Sequence, residues 1–274
     1  MNRREFVTRL ATASACLAAG VSTSADAEGR ATTGLQEKPV QFFELRRYLL
    51  RRGPHQGIID EYMRSALIPA IQRAGGGPVG AFNVMIGAES PTLHVLIVHK
   101  TLDGFASLPD KLAADTAYRQ AGAAYLNAAA TDAAFIRIES SLMRAFSGMP
   151  SLELPFGGGE AGRRARIFEL RTYESHSEEA SKKKIEMFNS AEIAIFRRAG
   201  MMPVFFGETL VGPRLPNLTY MLVYEDMAAH DKQWSAFSAD PEWRKLSTTP
   251  GLTDPDIVTN ISNSYLRPTA YSQV

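Results

Sequence analysis

The chain has 274 residues, and its 30 basic and 29 acidic side chains leave a formal net charge of +1, too little to give a nucleic-acid partner an electrostatic footprint. Apolar residues make up 45%, and no run of about 18 of them suggests a membrane span. A sizeable core is therefore available, and the length suits two domains better than one.

Residues 1–27 follow a separate logic. Arg3, Arg4 and Arg9 form a basic start, an Ala-rich apolar run extends from Leu10 to Val21, and Ala25-Asp26-Ala27 ends the segment on small residues. This is the pattern of a cleavable export signal, and Arg3-Arg4 followed by Phe6 and Val7 places it with the twin-arginine type, which carries folded proteins. The expectation is a periplasmic or secreted protein. The one cysteine, Cys16, lies inside this segment, so the processed chain has no disulfide and relies on packing. Residues 28–40 read as a disordered leader.

The first strand is Phe43-Glu44-Leu45-Arg46-Arg47-Tyr48, which alternates strictly. A helix follows, its stripe Ile59, Tyr62, Met63, Ala66, Leu67, Ala70, Ile71 and Ala74 repeating at the helical period. Gly75 comes next, where a left-handed cap is wanted. Residues 79–87 and 92–100 form a hairpin with Gly and Pro at its turn, and Leu93 to Val98 is apolar enough to be buried on both faces. Further helix and a last strand, Phe135 to Met143, complete the unit. Pro155 and Gly157-Gly158-Gly159 then mark a linker.

Beyond the linker the same landmarks return at a constant spacing of 125 residues, as 168 less 43. Phe168-Glu169-Leu170-Arg171-Thr172-Tyr173 repeats the first strand, Arg198-Ala199-Gly200 repeats Arg73-Ala74-Gly75, and Asp240 repeats Asp115. One register kept across so many positions identifies an internal duplication. The second helix stripe is Ile185, Phe188, Ala191, Ile195 and Ala199, and the hairpin spans 204–212 and 218–226. Met227, Asp231, Trp234 and Phe237 share a helix face. Asp240-Pro241 restarts helix as N-cap and first helical residue, and Val258 to Leu266 is the last strand. Lys182-Lys183-Lys184 reads as a solvated helix face. The domains run 41–146 and 165–270, with the linker at 147–164.

Each copy thus reads as βαββαβ, an α+β unit whose antiparallel sheet carries helices on one face. The bare faces cover each other, making a barrel-like core with pseudo-twofold symmetry.

Side chains alternate along a strand, so Phe43 and Leu45 oppose Glu44, Arg46 and Tyr48, and Phe168 and Leu170 oppose Glu169, Arg171 and Tyr173. If the apolar members pack under the helices, the polar members face the space between the sheets. Two readings follow. In one, an Arg fork grips an anionic or carbonyl group while Tyr or Glu moves a proton. In the other, Glu and Arg satisfy each other as an ion pair that fixes sheet register. His99 aligns with Tyr224 and joins the candidates as an interior polar residue. His94, five positions earlier, points to the opposite face, so the two cannot chelate one metal, and no metal site is expected. His55, His176 and His230 are tied to no site.

The segment Phe168 to Tyr173, the stretch Gly200 to Gly212, the apolar strand ending Tyr224-Glu225-Asp226 and the turn Asp240-Pro241-Glu242-Trp243-Arg244 resemble a NIPSNAP domain, over about 166–246. The first copy resembles it more loosely, over 43–119, with Tyr118 for Trp243 and Pro109 for Trp234, so its second helix should start later or bend. The resemblance implies two tandem ferredoxin-like units forming a pseudo-dimeric α/β barrel. That superfamily includes cofactor-independent monooxygenases, haem-handling enzymes and non-catalytic members. The leading expectation is a module for binding a small organic ligand or for assembly, without a cofactor and open to homo-oligomer formation, its polar site lying between the sheets. The alternatives are an oxygenase or isomerase using Arg171 or Arg46 with Tyr173, Tyr48 or Glu169, and a haem protein using His99 or His94.

Overall fold

Alternation and helical stripes build the expected order of elements. The computed structural model describes residues 39–53, 55–155 and 166–274. The export signal, nearly all of the leader and the linker glycines Gly157 to Gly159 lie outside the described residues. In the first copy β1 (Phe42–Leu50) leads to α1 (His55–Glu61), which continues through a π-helical stretch (Tyr62–Leu67) into α2 (Ile68–Arg73). The hairpin β2 (Val79–Ile86) and β3 (Thr92–His99) follows, then α3 (Leu102–Ala106), α4 (Leu108–Ala114), α5 (Thr116–Ala121), α6 (Ala123–Leu126) and β4 (Phe135–Ala145). The second copy repeats this as β5 (Ile167–Glu174), α7 (Glu178–Met187), a π-helical stretch (Phe188–Glu192), α8 (Ile193–Arg198), β6 (Met202–Val211), β7 (Asn217–Tyr224), α9 (Met227–Ala239), α10 (Pro241–Ser247), α11 (Asp254–Ile257) and β8 (Asn260–Pro268).

The shared landmarks have local causes. Gly75 and Gly200 adopt φ of +88° and +85°, the left-handed backbone that ends α2 and α8. Asp115 accepts from the Tyr118 amide at the start of α5, and Asp240 accepts from the Glu242 and Trp243 amides at the start of α10. The same two aspartates bind Arg73 at 2.6 Å and Arg198 at 2.9 Å, so each copy ties the end of its first helix to the cap of its later one. The copies differ where Pro109 interrupts: helix breaks at Ser107 between α3 and α4, while α9 runs unbroken.

The eight strands close into one barrel in the order β1-β3-β2-β8-β5-β7-β6-β4. Two antiparallel seams join the copies, β2 with β8 and β4 with β6, so neither sheet keeps a free edge strand. Strands β3 and β7 are buried along their whole length, as their apolar runs require.

Which face turns inward is the reverse of the expectation. Phe43, Leu96, Val98, Phe168, Leu170 and Val223 belong to the cluster that fills the barrel. Phe43 packs against Phe205 at 5.1 Å and Phe82 against Phe168 at 4.8 Å, centroid to centroid with the rings tilted, across the two copies. Tyr48 lies in the opposite layer with Ile59, Met63 and Leu67, beneath the helices of its own copy, and Tyr173 and Tyr224 lie in the corresponding second layer. The Glu-Arg-Tyr sets therefore sit between sheet and helices, not between the sheets. The reason is enclosure: away from its ends, a closed barrel of eight strands leaves charged heads no exit, whereas the gap beneath a helix opens at its sides, where a guanidinium can reach partners and water. Among the described residues no helix is long and apolar enough to cross a membrane.

Candidate functional site

The two carboxylates at the centre of the sets are both buried, Glu44 at 4% and Glu169 at 0% exposure. Each is positioned by the outward pleat of its first strand, and its partners come from that strand, from neighbouring strands of the same sheet and, for Glu169, from the covering helix α9. Arg46 grips Glu44 with Nε to Oε1 at 2.6 Å and Nη2 to Oε2 at 3.2 Å. Ser140 on β4 donates to Oε1 at 3.1 Å, and His99 Nε2 on β3 lies 3.2 Å from Oε2. Burial pushes this carboxyl up, but the His99 hydrogen bond and the charge of Arg46 outweigh it and lower its pKa to about 2. Burial raises the Tyr48 hydroxyl, against the pull of Arg46 beside it.

The second centre is larger. Glu169 accepts from Arg171 Nη1 at 2.7 Å and Asn263 Nδ2 at 3.3 Å on one oxygen, and from the Tyr224 hydroxyl at 3.0 Å and Trp234 Nε1 at 3.2 Å on the other. Four donors fill the four acceptor positions of a carboxylate. Arg171 Nη2 donates to the Tyr173 hydroxyl at 3.2 Å, which in turn meets Tyr220 at 3.0 Å, and the guanidinium lies 4.7 Å from the Trp234 ring centre. Burial drives the Tyr224 and Tyr220 hydroxyls well above the usual phenol range.

Each carboxylate keeps one imidazole, but from different elements. In the first copy His99 on β3 faces Glu44 and meets Phe105 of α3 edge-on at 5.5 Å. In the second the strand position is Tyr224 and the helix position is His230, which meet edge-on at 4.9 Å. The imidazole and the aromatic ring have exchanged places. His230 Nε2 lies 3.6 Å from Glu169 Oε2 and 3.2 Å from the Tyr265 hydroxyl, while Nδ1 lies 2.8 Å from Asp231. Unlike His99 it is partly open, its side chain 12% exposed. An imidazole oriented by a carboxylate at one nitrogen and touching a phenol at the other can pass a proton between them.

All eight anticipated residues thus fall into two centres: Glu44, Arg46, Tyr48 and His99 in one, and Glu169, Arg171, Tyr173 and Tyr224 in the other. The strand pattern missed Ser140, His230, Trp234, Asn263 and Tyr265. His230 had been tied to no site, yet it lies 125 residues after Phe105, whose ring meets His99, and it shares a helix face with Trp234 four residues on. The lysine run also departs from expectation: Lys184 is buried, 3.3 Å from Glu192, with the rings of Tyr173, Phe188 and Trp243 around its ammonium.

A haem does not fit the two proposed ligands. His99 is buried and engaged with Glu44, and His94, on the opposite face of β3, borders a cavity of about 80 Å³, far smaller than a porphyrin. Among the described residues no group of three or more His, Cys, Asp or Glu is placed to hold a metal ion.

Comparison with known proteins adds the family context. The NIPSNAP family model matches residues 43–147 and 168–273. No curated protein matches the chain. Among solved structures, a protein from Fusobacterium nucleatum subsp. nucleatum provisionally assigned as a monooxygenase is 11% identical, with 84% of this chain and 92% of that one covered, at a TM-score of 0.54. An uncharacterised NIPSNAP-like domain protein from Burkholderia xenovorans is 22% identical over 40% of this chain and 90% of its own, at a TM-score of 0.36. A chlorite dismutase variant from Candidatus Nitrospira defluvii is 10% identical over 83% and 91%, at 0.43. The first shares the fold alone, and the lower scores of the other two carry no argument.

Proposed function

Since the chain belongs to the NIPSNAP family, carrying the domain twice within one dimeric α/β-barrel fold, we propose that it is an exported small-molecule-binding protein whose second domain receives a polar organic ligand at the edge formed by Arg171, His230 and Tyr265. The observation that carries this reading is the inequality of the two carboxylate centres. Around Glu44 the carboxylate is gripped by Arg46 in an architectural ion pair, and the imidazole is sealed in against it. Around Glu169 every acceptor position is filled by groups that hold Arg171 and Trp234 in place, and the imidazole is left at a partly open edge. A fixed guanidinium, an imidazole and a phenol side by side suit an anionic or carbonyl group. Export is part of the proposal and rests on the twin-arginine pattern of residues 1–27, and we assign the site no cofactor.

The test is a thermal-shift screen of the full chain against short carboxylates, enolisable carbonyl compounds and phenols. A binder present at a hundredfold its Kd stabilises the fold by about 2.7 kcal/mol, and Tyr265→Phe with His230→Gln should abolish that gain while leaving circular dichroism unchanged. A screen in which no class stabilises the protein, or in which the double variant keeps the gain, overturns the reading.

One observation favours a second reading, a proton-transfer enzyme of the oxygenase or isomerase kind: the run Asp231, His230, Tyr265 beside Arg171. Its mark would be wash-in of solvent deuterium at the acidic carbon of a bound carbonyl compound, lost in His230→Gln. The Fusobacterium protein shares only the fold and lends this reading nothing further.

A further inference from the structure

The seams are shorter than the strands they join, which leaves the first half of β4 without a neighbour on one side. β4 pairs with β1 along its length, but β6 meets it only from Leu142 to Ala145. Among the described residues no strand lies beside that edge of β4 before Leu142. Bonds at the far end of the strand tell its two edges apart. Ala145 donates its N–H to the Gln41 carbonyl on the β1 side at 2.9 Å, and Phe146 donates to the Phe206 carbonyl on the β6 side at 3.1 Å. Backbone groups alternate in direction along a strand, and the ladder with β1 is regular from Arg137 to Arg144. Ile138 and Ser140 therefore turn their N–H and C=O groups toward the open side.

Sheets commonly blunt such an edge with lysine or proline. Here the exposed side chains are Ile136 and Ile138, at 60% and 40%, and Val211, which ends the β6 ladder opposite Leu142, is also exposed. Arg137 and Glu139 lie on the other face of the strand, at the polar end of the barrel, where Arg47 is directly across from Glu139. Arg47 and Arg137 are paired there with Glu89 and Glu139, so the network carries no net charge.

We propose that this edge pairs with the same edge of a second molecule, β4 against β4 in the antiparallel sense about a twofold axis at Ile138. The surface is independent of the function proposed above. Backbone hydrogen bonds and burial of isoleucine drive the contact, and two identical edges close on each other and stop at a dimer. The register follows by elimination. Outward groups must meet outward groups, so the axis passes through a residue of the regular ladder. An axis at Arg137 sets the two Arg137 side chains directly opposite, and an axis at Glu139 does the same to the two carboxylates, like charges with Cβ atoms about 5 Å apart. An axis at Ser140 brings Ile138 of one molecule against Leu142 of the other, where Val211 already sits. An axis at Ile138 sets Arg137 opposite Glu139 of the other molecule, lets Ile138 exchange two N–H···O bonds with its twin, and gathers Ile136 and Ile138 of both molecules. β8 overruns its seam in the same way, with Ile261 opposite Tyr173 as Ile138 is opposite Tyr48, but Asn260 and Ser262 replace the two charges, so no register is selected there. A contact confined to residues 136–140 of each strand is small, and its Kd falls in the micromolar range.

The experiment is sedimentation velocity of the full chain over a dilution series from about 500 to about 1 µM, spanning that range. The wild type should pass from dimer to monomer. Ile138→Lys sets two ammonium groups face to face and should weaken the dimer at least tenfold with circular dichroism unchanged, whereas Ile261→Lys should leave the dimer as it was. Register is read in a Cys16→Ser background, where Ile138→Cys should be joined by a short bismaleimide and Ile261→Cys should not. A chain that is monomeric throughout, a dimer indifferent to Ile138→Lys or weakened as much by Ile261→Lys, or equal cross-linking at the two positions would overturn the assignment. The dilution series needs only the wild-type protein.

Discussion

Lowering the pH isolates what the Glu44 ion pair contributes to the fold. Its carboxyl is depressed from the usual 4.5 to about 2, and the group is almost wholly enclosed. A carboxylate more acidic in the folded than in the unfolded chain stabilises the fold fully above pH 4.5, and the gain disappears as pH falls from there through about 2. The difference corresponds to about 3 kcal/mol. The assay is urea unfolding of the wild type and Glu44→Gln, from about pH 7 to about pH 2. The variant carries its own pH-independent cost, because Arg46 loses its partner, so the quantity to read is how the gap between the two proteins changes. That gap should shrink by about 3 kcal/mol across the acid range. His94, held neutral down to about 4, also destabilises the fold on acidification, but equally in both proteins. A gap that stays constant with pH would refute the reasoning, since Arg46 and His99 would then not be lowering the carboxyl.

Two further outcomes test the second copy. Lys184→Met strands the buried Glu192 and should cost about 3–5 kcal/mol, whereas adding Glu192→Leu should restore most of the loss; denaturant melts in which the double variant is no better than the single contradict this. Trp234→Phe keeps the packing but removes the indole donor from Glu169 and should cost about 2 kcal/mol by the same measurement, and a loss below about 0.5 kcal/mol would show that this donor is dispensable.

The duplication and its landmarks were legible in the sequence because they answer to local causes. Gly75 and Gly200 end helices, Asp115 and Asp240 start them, and Arg73 and Arg198 sit where they can bind those aspartates. Orientation was not legible. Alternation separates Phe43 and Leu45 from Glu44 and Arg46, but both faces of these sheets are covered, so pleating alone does not say which cover is the other sheet. Arg47 held the clue to the barrel's polar end, since it shares a strand face with Phe43 and Leu45 and has no charged counterpart at Thr172. Lys184 could not be placed from its own run, because its partners, Glu192 across the π-helical stretch and Trp243 on α10, are brought near only by folding. His230 needed the repeat register applied across elements, to see that an imidazole and a ring had traded positions.

The seams β2 with β8 and β4 with β6 make each half the stopper for the other's open rims. In a barrel assembled from separate chains that closure would depend on how much protein is present, and both halves would carry the same residues. A peptide tether replaces encounter by a high effective concentration, so closure no longer follows dilution. It also frees the halves to specialise: the Arg144–Glu208 pair at 2.7 Å occurs on one seam, while the corresponding positions on the other are Arg267 and Asn83. One rim can thus change without the change being copied to its twin.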